Sequence, residues 1–113
     1  MRKHIRLLIL AVVAFVGGIS NEAKADWAVF TPTSVGCFDD GTCFIGVSPN
    51  VPSTQTSCTA RDQVRFPINQ VGGEAMYKTA LSAYLAGRQL VINTKTGAFC
   101  HTNYPRVWYL HVM

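Results

Sequence analysis

Acidic side chains are scarce in this sequence. Six Asp and Glu occur in 113 residues, and beyond residue 25 they are Asp26, Asp39, Asp40, Asp62 and Glu74. Asp39 and Asp40 read as turn residues and Glu74 as a helix start. Asp62 stands between Arg61 and Arg65, which predicts an ion pair. None is left as an obvious general acid or base. Histidine is limited to His101 and His111 beyond residue 25. No C-x-x-C or H-x-x-x-H spacing occurs, so no zinc ligand set is expected. No glycine-rich phosphate loop follows a strand, no repeat appears, and no segment is of low complexity. No apolar run reaches the roughly 20 residues of a membrane span. These absences argue against an enzyme, and no cofactor or metal is expected.

What is present begins with a leader. Arg2, Lys3 and Arg6 form a positive region, residues 7–16 are apolar, and Ala23-Lys24-Ala25 is a small-residue cleavage site. This pattern is that of a secretory signal peptide over residues 1–25. No cysteine stands near the cleavage site, so no lipid anchor is expected. A secreted or periplasmic product over residues 26–113 follows, one small domain of 88 residues with no stable membrane anchor. Arg2, Lys3, Arg6, Lys24 and Glu22 leave with the leader, which lowers the formal charge from +4 to +1. A basic face for nucleic acid is therefore not expected.

Four cysteines remain: Cys37, Cys43, Cys58 and Cys100. In a small exported domain an even count predicts disulfides, and four cysteines allow three connectivities. Cys37 and Cys43 flank Phe38-Asp39-Asp40-Gly41-Thr42, a hairpin with Gly41 at the position of positive φ. In that register Phe38 opposes Thr42 and Cys37 opposes Cys43. Cys58 is then left for Cys100. The second bridge closes a loop worth roughly 3–4 kcal/mol in the chain-entropy model.

Residues 74–86 are rich in Ala, Met, Leu, Lys and Glu, all good helix formers. Glu74 suits the positive end of the helix dipole, and Lys78 lies one turn on. Gly87 fits a left-handed helix end. At 100° per residue Met76, Tyr77, Ala80, Leu81, Ala83, Tyr84 and Leu85 fill an arc of roughly 200°, about twice what one core-facing stripe requires. Either the helix is deeply buried, or Tyr77, Tyr84 or Leu85 meets a second subunit. After a short apolar start at 27–30, extended segments are read at 35–38, 42–47, 57–68, 88–93 and 107–112, with loops at 48–53, 94–97 and 99–104. The order is β-β-β-α-β-β: a mainly β domain with one helix, closed or partly open as a small barrel and stapled by two disulfides.

Near the C-terminus Asn103, Tyr104, Arg106, Trp108 and Tyr109 cluster in sequence. Aromatic faces beside amide and guanidinium donors suit a glycan or a protein partner. Alternation with Leu110 and Val112 would instead bury Trp108.

The order of strands around one helix, the bridge spanning it, and residues 76–92 resemble the B subunits of subtilase-cytotoxin-type AB5 toxins and related small exported bacterial proteins. The likeness runs from about Cys58 to Val112. It includes a helix of small and aromatic residues that ends in a glycine and leads into a strand, here Gly87-Arg88-Gln89-Leu90-Val91-Ile92. The resemblance implies an oligonucleotide/oligosaccharide-binding (OB) barrel, a ring of five and recognition of glycans. The chain is shorter than the toxin subunits and adds the Cys37–Cys43 hairpin. No residue matches the family's sugar pocket, so none is carried over. The expected function is a non-catalytic binding module for glycans, with a structural or inhibitor-type protein that binds another protein as the alternative.

Overall fold

The computed structural model describes residues 27–94 and 100–113; the expected signal peptide over residues 1–25 and most of the expected loop at 94–97 lie outside them. Strands β1 (Trp27–Cys37), β2 (Thr42–Ser48) and β3 (Gln63–Pro67) precede helix α1 (Gly73–Ala86). Strand β4 (Leu90–Thr94), the short pair β5 (Cys100–His101) and β6 (Tyr104–Pro105), and β7 (Val107–Val112) follow. The main sheet has the order β3-β2-β1-β4-β7, with every pairing antiparallel. It curls until β3 meets the residue before β7 at one parallel bridge, Arg65 to Arg106. Closure rests on that bridge, so the OB-like barrel is loose rather than sealed.

The long first strand makes the curl possible. Residues 27–30 pair with β4, and residues 31–37 pair with β2. Pro32, which the sequence reading places between two separate segments, lies inside this one strand. It stands at the change of partner, where a bulge between Pro32 and Ser34 breaks the ladder, and proline is tolerated at bulges. The third extended segment is shorter than expected. Only Gln63–Pro67 forms ladder, and Cys58 lies in the preceding loop. That loop folds inward instead of extending: Val51, Gln55, Thr56 and Cys58 are buried. Two backbone bonds, from Val47 N to Asp62 O and from Val51 N to Arg61 O, fasten it to β2 and to itself.

Alternating apolar positions build the core from Phe30, Ile45, Val64, Phe66, Leu90 and Ile92, all essentially inaccessible. Helix α1 covers β1 and β7 with small residues. Gly73, Ala80 and Ala83 are buried, and Met76 and Tyr77 pack against the cluster. Gly87 ends the helix at φ 67°, where its N–H reaches Tyr84 O and Arg88 N reaches Ala83 O. Glu74 and Lys78 approach to 4.0 Å on the solvent side. The predicted pairing of Asp62 with Arg61 or Arg65 does not occur among the described residues. Arg61 instead donates to Val51 O, while Arg65 donates to Gln63 and Thr102.

Both disulfides have the expected partners, Cys37 with Cys43 and Cys58 with Cys100. Cys37 directly opposes Cys43, Phe38 N donates to Thr42 O at 2.7 Å, and Gly41 has φ 89°. Paired thiols of this kind persist in oxidising compartments. No helix of the described residues is long and apolar enough to cross a membrane.

The hairpin carries a pH dependence. The backbone N–H of Thr42 donates to Asp40 Oδ1 at 2.9 Å. With the Thr42 hydroxyl and nearby His101, it holds the Asp40 carboxyl below its ordinary 3.8. A carboxylate shifted this way stabilises the fold above pH 3.8, and the contribution disappears as pH falls through the lowered folded value. An NMR titration of the Asp carboxyl carbons is expected to give Asp40 a midpoint below 3.8, moving to the ordinary value in urea. A midpoint at or above the ordinary value in the folded protein would remove the turn bond from the account.

Candidate functional site

The residues grouped near the C-terminus in sequence separate in space. Thr102 and Asn103 have φ 51° and 70° and form the two-residue turn between β5 and β6, both left-handed as a type I′ turn requires. The Asn103 carbonyl accepts from Ala60 N. The Tyr104 ring lies 4.0 Å from the Arg65 guanidinium, which also stands over Phe38. Arg65 Nη1 donates to the Thr102 hydroxyl at 2.6 Å. Asn103 therefore ties this small hairpin to the loop before β3, Tyr104 ties it to β3, and they do not join Arg106 and Trp108.

Trp108 faces outward because of a bulge. Asn93 pairs with Tyr109, but Thr94 pairs with Val107, so Trp108 is the extra residue in β7. A bulge re-aims side chains. Two consecutive aromatics, Trp108 at 59% exposure and Tyr109 at 52%, now point to solvent, while Val107 and Leu110 stay in the core. Burial of Trp108 by alternation with Leu110 and Val112 is thus corrected.

Each of these two aromatics lines a groove. The first, of about 310 Å³, is formed by Trp27, Val91, Asn93, Tyr109 and His111. Its geometry follows from strand register. Trp27 pairs with Asn93, which pairs with Tyr109, so an amide stands between two aromatic residues across three strands. The next row on this face sets Val91 beside His111. The Tyr109 and His111 rings meet edge to face at 5.4 Å. Asn93 Oδ1 is buried with no hydrogen-bond partner in the protein. A buried acceptor left unmade costs about 1–3 kcal/mol.

The second groove, of about 330 Å³, lies across the β7 ridge and is lined by Gln70, Val71, Arg106, Val107 and Trp108. Gln70 Nε2 donates to Val107 O at 3.3 Å, and Arg106 Nε donates to Gln70 Oε1 at 3.1 Å. These bonds fix the guanidinium beside the exposed indole.

Trp27, Asn93 and His111 were not singled out in the sequence as ligand residues. A signal did exist: with Leu90 and Ile92 inward, Val91 and Asn93 had to face outward. Elsewhere His101 is occupied, its Nε2 lying 3.0 Å from Thr42 Oγ1. No group of three or more His, Cys, Asp or Glu among the described residues is placed to hold a metal. On the helix, Tyr77 packs against the core cluster, whereas Tyr84 and Leu85 are exposed. No protein-family model matches the chain, and a search of curated proteins finds no match to it.

Proposed function

We propose that the chain is an exported, non-catalytic binding module that recognises glycans through the groove of Trp27, Asn93, Tyr109 and His111. One observation carries this reading: the Asn93 amide stands in a row between two aromatic side chains that line the same groove. A pyranose ring offers the complement, with apolar C–H faces for the aromatics and hydroxyl groups as donors to the amide. Polar groups placed sparingly in an aromatic-lined groove are what fixes a small ligand's orientation. The leader and the two disulfides support a periplasmic or extracellular location for it. The resemblance to toxin B subunits leads to the same class of ligand.

Replacing Tyr109 with Ala removes one wall of the groove. Its affinity for glycans retained on an array is expected to fall about 30-fold, the size of a binding hot spot. Its melting temperature should change little, because about half of the residue is already exposed. Unchanged affinity in this variant would move the ligand away from the groove.

The exposed Tyr84 and Leu85 favour a second feature of the same reading, assembly of several copies through α1. A ring closes when one heterologous contact repeats. The alternative, a structural or inhibitor-type protein that binds another protein, would use the same exposed aromatics, which are enriched at protein interfaces. It predicts an array with no retained glycan.

A further inference from the structure

We infer that the ligand is an oligosaccharide that crosses the β7 ridge, with one sugar in each groove, rather than a single terminal sugar. This rests on the glycan reading of the first groove and extends it. The bulge carries the inference. Without the extra residue, strand alternation would give β7 one outward aromatic at this level; with it, Trp108 and Tyr109 both face out. The two side chains line different grooves although they are neighbours in the chain, and adjacent Cα atoms are only about 3.8 Å apart. Successive sugars of one glycan can therefore stack on both. Each groove, at 310 and 330 Å³, is small for a ligand pocket. Either has room for a ring and its substituents, and neither holds a tetrasaccharide alone.

The second groove also has sugar-binding chemistry. Arg106 is held by Gln70, and Gln70 by the Val107 carbonyl, so the guanidinium is oriented before a ligand arrives. Its remaining N–H groups are donors to hydroxyl oxygens, and the Trp108 indole supplies the apolar face.

The chain provides its own reporters. It contains two tryptophans, and Trp27 lines the first groove while Trp108 lines the second. Each indole N–H gives a separate cross-peak in a ¹⁵N correlation spectrum. The test titrates the exported protein with galactose, lactose and lacto-N-tetraose, and with glucose, cellobiose and cellotetraose. In at least one series the monosaccharide is expected to shift only the Trp27 indole. The tetrasaccharide should shift both and bind at least tenfold more tightly. Trp108→Ala should abolish that gain and Trp108→Tyr should retain most of it, with unchanged circular dichroism in each. A tetrasaccharide that moves only Trp27 and binds no more tightly than its monosaccharide overturns the inference and leaves the glycan reading in place. If no member of either series moves either indole, the inference falls, and the array decides the glycan reading separately.

Discussion

Cys58→Ser is expected to lower the stability of the protein by about 4 kcal/mol, against about 2 kcal/mol for Cys37→Ser, on loop-closure entropy alone. The sequence separations of 42 and 6 set the difference. The structure adds a reason for the larger loss. The pair β5–β6 belongs to a two-stranded sheet separate from the main one. It is tied back by the Cys100 bridge, the Ala60 N to Asn103 O bond, the Thr42–His101 contact and the Arg65 stack on Tyr104. Only the bridge is covalent, and it fastens the buried loop through Cys58, which is 6% exposed. In a domain of this size about 4 kcal/mol corresponds to a fall in melting temperature of roughly 15–30 °C. Thermal melts of the two variants measure it. Equal losses for Cys37→Ser and Cys58→Ser would contradict this role for the long-range bridge.

Leu85→Glu and Ala80→Glu should differ in kind, although both lie on the apolar arc of one helix. Ala80 is fully buried, so a carboxylate there is both too large and unpaired, and several kcal/mol of destabilisation is expected. This variant should not fold. Leu85 is 74% exposed in the single chain, so Leu85→Glu should fold and keep both disulfides. If copies assemble through this face, the change should also convert the oligomer to a monomer. Light scattering with circular dichroism separates the outcomes. A wild-type protein that is monomeric at micromolar concentration would remove the assembly and leave binding to act alone.

The Cys37–Cys43 hairpin was legible because its determinants are local. Seven residues of chain, a glycine for positive φ and the cross-strand register decide it together. Helix α1 was legible for the same reason, through its composition and Gly87. Its 200° arc was real, but the fold uses only the Gly73, Ala80 and Ala83 side of it and leaves Leu85 outside. The groove was harder to see. Trp27, Asn93 and Tyr109 come from three strands and become neighbours only through two registers. Nor could alternation reveal the bulge at Trp108, since one unpaired residue in β7 is a property of its pairing with β4. Tyr104 illustrates the reverse. An aromatic beside polar residues resembles a binding surface in sequence, and in the fold it is committed to Arg65.

The central claim is that the Trp27–Asn93–Tyr109 row binds a sugar. A crystal structure of the protein soaked with the glycan most strongly retained on an array tests it most directly. The account predicts a pyranose ring against Trp27 or Tyr109, with a hydroxyl hydrogen-bonded to the Asn93 side-chain amide at about 2.7–3.2 Å. A glycan bound on another face, with this groove empty at saturating concentration, would contradict it.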